Sequence, residues 1–158
     1  MKLKLTKGRP ASPKDIAALR EKIGGHIDQA FLKFATSNDG AEPEANIFKI
    51  GDGNESGVNA FIPIKEIPDV MSRTEYLPKA ALPVAWAEGG NCVFIDQSEN
   101  GAVYFWDHEQ PDNATKLASS FESFLDLLEP FDVSTIKLKP GQVKKAWIDP
   151  DFLKSIQG

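Results

Sequence analysis

The chain has 158 residues, 41% hydrophobic and 26% charged, with a formal net charge of −5, a composition that lets one globular domain spanning 1–158 bury a core without disulfides or metals. A single cysteine, Cys92, excludes an internal disulfide framework, and its place in a strand pattern makes it a small core hydrophobe. No apolar run approaches the roughly 20 residues of a membrane helix, and the opening MKLKLTKGRP lacks the apolar stretch of a signal peptide, so a cytoplasmic location without membrane contact is expected.

Charge is unevenly spread. Residues 1–85 carry 12 Lys/Arg against 11 Asp/Glu, residues 86–132 carry 1 against 10, and residues 133–158 carry 5 against 2. The acidic middle speaks against nucleic acid as a ligand, because phosphate binding draws on Lys and Arg. It suits a basic protein partner, whose approach such a field accelerates.

The first element starts at Ser12-Pro13-Lys14-Asp15, a capping hydroxyl followed by proline at the first helical position and an acid in the first turn. Ile16, Leu19 and Ile23 continue it as one stripe, and Gly24-Gly25 ends it. A second helix carries Ile27, Phe31 and Phe34 and closes near Asn38-Asp39-Gly40, with Asp28 in an N-cap position; the two helices are expected to pack as a pair.

Strands at 46–50 and 58–62 follow, joined by the glycine-rich GDGNESG. Asp52, Asn54, Ser56 and Gly57 echo the start of a calcium loop, but the twelfth position is Pro63 where a bidentate glutamate is required, so the segment reads as a hairpin turn. A helix is expected from Ile64 to Tyr76, at least from Pro68, and then a strand from Leu82 to Ala87. Two apolar runs, Asn91 to Asp96 and Ala102 to Trp106, flank a polar turn and predict a β-hairpin. Ser120 opens an amphipathic helix with Phe121, Phe124, Leu125, Leu127 and Leu128, ended by Pro130. Beyond it, Thr135 to Leu138 reads as an edge strand, and Asp149-Pro150-Asp151 caps a short helix with Phe152, Leu153 and Ile156. Helices segregated from a run of antiparallel strands predict an α+β fold, a single twisted antiparallel sheet with helices on one face.

Candidate chemistry is sparse. His108 lies between Asp107 and Glu109, but neighbours on an extended chain point to opposite faces and cannot converge on a metal, so none is expected. No G-x-S-x-G elbow or phosphate-cradling loop is present, and neither His26 nor His108 has a local serine or cysteine partner. No cofactor is expected. What remains is recognition: Trp86, Tyr104 and Trp106 cluster in the central strands, and acids lie at strand ends and in loops, where a rigid sheet holds binding groups. The predicted partner-binding set is Glu88, Asp96, Glu99, Trp106, Asp107, Glu109 and Asp112, with Trp106 anchoring in the core and the acids facing the partner.

The stretch LPVAWAEGGNCVFIDQSENGAVYFWDHE with the following LASSFESFLDLL resembles the SUKH superfamily: a double glycine enters the first strand, an aromatic second strand ends in Trp-Asp-His-Glu, and a Phe-x-x-Phe-Leu helix follows. Upstream, Ile27-Asp28, Phe31, Phe34-Ala35 and Asn38-Asp39-Gly40 stand where the family has Leu-Pro, an aromatic, Phe-Leu and Asn-Gly-Gly, with Asp28 replacing the proline and Ala35 the leucine. The resemblance covers about 12–128 and leaves 133–158 as a C-terminal extension. It implies a single antiparallel sheet packed by helices and a non-catalytic binding role, that of an immunity protein neutralising a bacterial toxin, often a nuclease. The alternative is a regulatory adaptor like the fungal Smi/Knr members, and the remote alternative a hydrolase using the acidic cluster. A monomer or weak dimer is expected.

Overall fold

The computed structural model describes residues 3–130 apart from 52, 75, 76, 79, 99 and 111. The expected elements at 135–138 and 149–156 lie outside the described residues.

Helix α1 spans Pro13–Ile23; Ser12 Oγ accepts the amide of Asp15 at 3.0 Å, and Gly24, at φ 70°, turns the chain out while its N–H reaches the Arg20 and Glu21 carbonyls. Helix α2 spans Gln29–Asn38, and Asp28 Oδ2 caps it by accepting the amide of Phe31 at 3.1 Å. The two do not form the expected pair: α1 rests on the 3-10 turn Ile64–Glu66 and on α3 (Ile67–Arg73), while α2 rests on α4 (Phe121–Leu127). Their apolar stripes instead share one core, since Leu19, Phe31 and Phe34 belong to the same buried cluster. Pro68 sits in the first turn of α3, which stops at Arg73, short of the expected Tyr76.

Two short strands, β1 (Leu5–Thr6) and β2 (Glu42–Pro43), pair with each other. Six more make one antiparallel meander: β3 (Ile47–Gly51), β4 (Asn54–Phe61), β5 (Ala81–Ala87), β6 (Cys92–Asp96), β7 (Ala102–Trp106) and β8 (Ala114–Ala118), neighbours in that order. Strand β4 begins far earlier than expected. Gly51 pairs with Asn54, so GDGNESG holds a tight turn and the first residues of a strand. Strand β8 was not foreseen. It is polar and largely exposed, and it forms because β7 offers a free edge; its Lys116 guards the new one. Pro83 lies in a central strand, which its missing N–H would forbid, but the register slips between Pro83 and Ala85 and places it at a bulge.

The sheet curls until its edge strands β3 and β8 touch. Inside the curl, α2 and α4 seal a core of phenylalanines: Phe31 and Phe34 from α2 meet Phe121 at 5.3 and 5.4 Å between ring centroids, and Phe48 of β3 meets Phe105 and Phe124 at 5.7 and 5.8 Å. The outer face carries a second buried cluster, Ala81, Cys92, Phe94 and Trp106, with Leu77, Trp86 and Tyr104 packed against it. Among the described residues no helix is long and apolar enough to cross a membrane.

Candidate functional site

The hairpin register decides where the predicted acids lie. Cys92 pairs with Trp106 and Asp96 with Ala102, so the residues before β6 and after β7 meet at one end of the sheet, and the β6–β7 turn forms the other, roughly 14 Å away. Glu88, Asp107, Glu109 and Asp112 gather at the first end. Asp96 lies at the second, where its Oδ1 accepts Ser98 N at 2.9 Å and Ser98 Oγ at 2.6 Å and so shapes its own turn. Glu99 lies outside the described residues. Trp106 is buried in the outer-face cluster.

At the first end, between the β3–β4 hairpin and the β7–β8 loop, the curled sheet opens into a cleft of about 490 Å³. Its floor is Phe105 and buried Ser56; its rim carries Glu55, Glu88 and Asp107 with Asn54, Asn91, Gln110 and Asn113, and among the described residues no Lys or Arg lines it. The one ion pair among the described residues, Lys7 with Glu42, is elsewhere.

Several local devices fix this rim. Strand β5 leaves the sheet through the turn Glu88–Gly90, where Gly89 and Gly90 take φ of 74° and 82°, a left-handed conformation that the double glycine allows without strain. The turn lays Glu88 against Gly57 of β4 so closely that a Cβ at Gly57 would stand 3.1 Å from Glu88 Oε1. Asn91 Oδ1 accepts the amide of His108 at 3.1 Å and lies 2.7 Å from its Nδ1, which ties the entrance of β6 to the exit of β7. Asp107 Oδ1 accepts the amide of Glu109 at 2.9 Å, and Gln110 N donates to the Asp107 carbonyl at 2.9 Å, holding the first turn of the loop that presents Glu109 and Asp112.

Among the described residues no three His, Cys, Asp or Glu side chains converge as metal ligands. His108 is engaged by Asn91 rather than by its acidic neighbours. Burial pushes the Cys92 thiol up to about 12, which leaves it protonated and a poor nucleophile at neutral pH. The cleft supplies hydrogen-bond acceptors and negative charge to an approaching surface.

Glu55, Gly57 and Asn91 were missed in the sequence. Glu55 was hidden in a supposed loop, and Asn91 was read only as the first residue of a strand. The signal available was the pair of glycines at 51 and 53, which permits a two-residue hairpin turn and extends β4 to the cleft.

Comparison with known proteins agrees with this architecture. A curated relative, the SPbeta prophage-derived uncharacterized protein YokK of Bacillus subtilis (strain 168), is 34% identical over 85 residues, covering 52% of this chain and 43% of that protein. The match thus spans less than half the length of that relative. The model of the SMI1 / KNR4 family (SUKH-1) matches residues 10–127, which takes in every described helix and the whole six-stranded sheet, and the chain belongs to that family.

Proposed function

We propose that the protein is a non-catalytic immunity protein that neutralises a cognate bacterial toxin by covering its basic, nuclease-type surface with the acidic end of the sheet. The observation that carries this reading is the cleft whose rim bears Glu55, Glu88 and Asp107, with no cation among the described residues of its lining. A nuclease must present positive charge to hold its phosphate substrate. An acidic inhibitor complements that surface, and its field speeds encounter. Glu109 and Asp112, exposed on the adjoining loop, extend the same field.

The test is association with the partner recovered from the native strain and purified. The triple variant Glu55→Lys, Glu88→Lys, Glu109→Lys, all three exposed, should keep its fold, since such substitutions usually change stability by only about 0.5 kcal/mol. Its association rate should fall by about tenfold or more, and wild-type association should slow with added salt. Reversal of Glu21 and Asp69, exposed on α1 and α3 away from the cleft, is the control and should leave the rate unchanged. Unchanged association of the cleft variant would place the interface elsewhere. Recovery of a housekeeping component in place of a toxin would support the adaptor role of the fungal members instead.

A further inference from the structure

The cleft is the mouth of the curled sheet, and its floor holds a polar group that the fold leaves unused. Ser56 pairs with Phe48 across the β3–β4 hairpin, which puts both side chains on the inner face, and Val58, two residues on, belongs to the inner cluster. Ser56 is the one buried polar residue among the described residues, only 7% exposed. No described residue makes a hydrogen bond to its Oγ. Among the described residues no sealed side-chain oxygen or nitrogen lacks a partner, so this hydroxyl opens into the cleft it lines and not into the core. Burying a hydroxyl without a partner costs stability, and an alanine would fill the same place, so packing alone does not call for serine here. Half-buried Asp107 lines the same mouth: its Oδ1 accepts the Glu109 amide at 2.9 Å, while its Oδ2 accepts from no described residue. Ile50 and Phe105 add apolar wall beside these two acceptors.

We infer, resting on the basic partner proposed above, that this mouth receives a single arginine side chain of that partner, with Ser56 Oγ and Asp107 Oδ2 accepting hydrogen bonds from its guanidinium. The mouth of a curled sheet is a usual place for a concave site with an apolar wall and a few convergent polar groups. Both free groups are acceptors, and Glu88 adds a second negative charge at the rim, so the occupant must be a donor and a cation. Arginine fits better than lysine for two reasons. Its planar fork donates in two directions at once, to a hydroxyl and a carboxylate on different strands, whereas an ammonium is a compact point charge. It is also more weakly hydrated, so it loses less on leaving water for a floor of Ile50 and Phe105, along which its methylene stem lies. The rim carboxylates steer the partner, and the Ser56 floor selects the side chain that enters.

The test needs no toxin, so its failure is distinct from failure of the immunity reading, which the association rates decide. The full chain, isotope-labelled for NMR, is titrated with the capped tripeptide Gly-Arg-Gly and with the same peptide carrying lysine or the neutral isostere citrulline. The arginine peptide should give saturable shifts of the Ser56, Phe105 and Asp107 amides, the lysine peptide should bind several-fold more weakly, and citrulline should not saturate. Ser56→Ala should weaken the arginine peptide by about tenfold, as expected for losing a hydrogen bond to a charged group. It should leave the melting temperature of the free protein unchanged or slightly higher, because the hydroxyl has no partner to lose. Asp107→Asn, which keeps an acceptor for the Glu109 amide and removes the charge, should weaken the peptide at least as much. The inference is overturned by shifts that do not saturate or that map away from the cleft, by citrulline or lysine binding as well as arginine, or by either variant binding like wild type. A clear drop in the melting temperature of Ser56→Ala would also overturn it, by showing that the hydroxyl already serves the fold.

Discussion

Phe124→Ala tests whether α4 is the lid of the inner core. The ring is 0% exposed and lies 5.8 Å from Phe48 and 6.4 Å from Phe121 between centroids, so it joins β3 to the phenylalanines of α2 through Phe121. Truncation removes the transfer free energy of the ring and leaves a cavity between a helix and a sheet, neither of which can close it alone. Such changes cost roughly 3–5 kcal/mol, and the rigid aromatic surroundings favour the upper half of that range. For a chain of this size about 4 kcal/mol lowers the melting temperature by about 8–16 °C. Urea unfolding followed by fluorescence and by circular dichroism should give coincident transitions with an unchanged slope and a lower midpoint. Leu127→Ala, on the half-buried side of the same helix, should cost markedly less. A loss below about 1 kcal/mol for Phe124→Ala would refute the packing of α4 on the sheet.

Gly101→Ala should destabilise in the same assay: the residue has φ of 84°, and a Cβ there would stand 2.8 Å from Asp28 Oδ1, whereas Gly25→Ala, with nothing within 4 Å, should be neutral or slightly stabilising. Equal effects at the two glycines would dismiss the close approach of the hairpin tip to Asp28. Asp39 gives a pH test. Burial raises its carboxyl above the usual 3.8, outweighing the hydrogen bond accepted from the amide of Ile64. The folded state therefore binds this proton more tightly than the unfolded state, so the contribution is fully present below the unfolded value and is lost as pH rises through the folded one. Asp39→Asn keeps an acceptor for the Ile64 amide and should flatten the stability profile just above pH 3.8 relative to wild type. Parallel profiles of the two proteins would refute the burial effect.

What could be read in the sequence were the features set by local chemistry. Ser12-Pro13-Lys14-Asp15, the Asp28 cap, the β6–β7 hairpin and the Phe121–Phe124–Leu125 stripe all fold as read, because capping groups and short-range periodicity act within a few residues. Strand β8 was illegible because Ala-Thr-Lys-Leu-Ala has little strand propensity of its own and exists by pairing with β7. The early start of β4 was lost for a related reason: Asn54, Glu55 and Ser56 are polar because they line a cleft, and polarity next to glycines resembles a loop. For the site, the excess of acid was plain from composition. Its division between two ends of the sheet needed only the hairpin register, while the contribution of Glu55 depended on β4 lying beside β5, a long-range pairing that no local signal carries.

That division bears on why the proposed interface lies at one end of the sheet. The β6–β7 turn is already engaged: Gln97 Oε1 accepts the amide of Asp28 at 2.7 Å, and buried Gly101 sits against the Asp28 carboxylate, so the hairpin tip is fastened to the start of α2. Fastening one end of a hairpin whose strands are paired throughout restrains the other, and the Asn91–His108 contacts lock that far end across the two strands. The carboxylates of Glu88 and Asp107 are thus carried on a backbone that need not be ordered when a partner arrives, which spares much of the entropy that loop-borne contacts lose on binding. If this coupling holds, Gln97→Ala, which removes the tip anchor without touching the cleft, should leave the charge-dependent association rate nearly intact and raise the dissociation rate. Faster dissociation would appear with an unchanged salt slope, since the steering charges are all present. A Gln97→Ala protein whose dissociation rate equals that of wild type would show that the cleft end holds its shape without help from the tip.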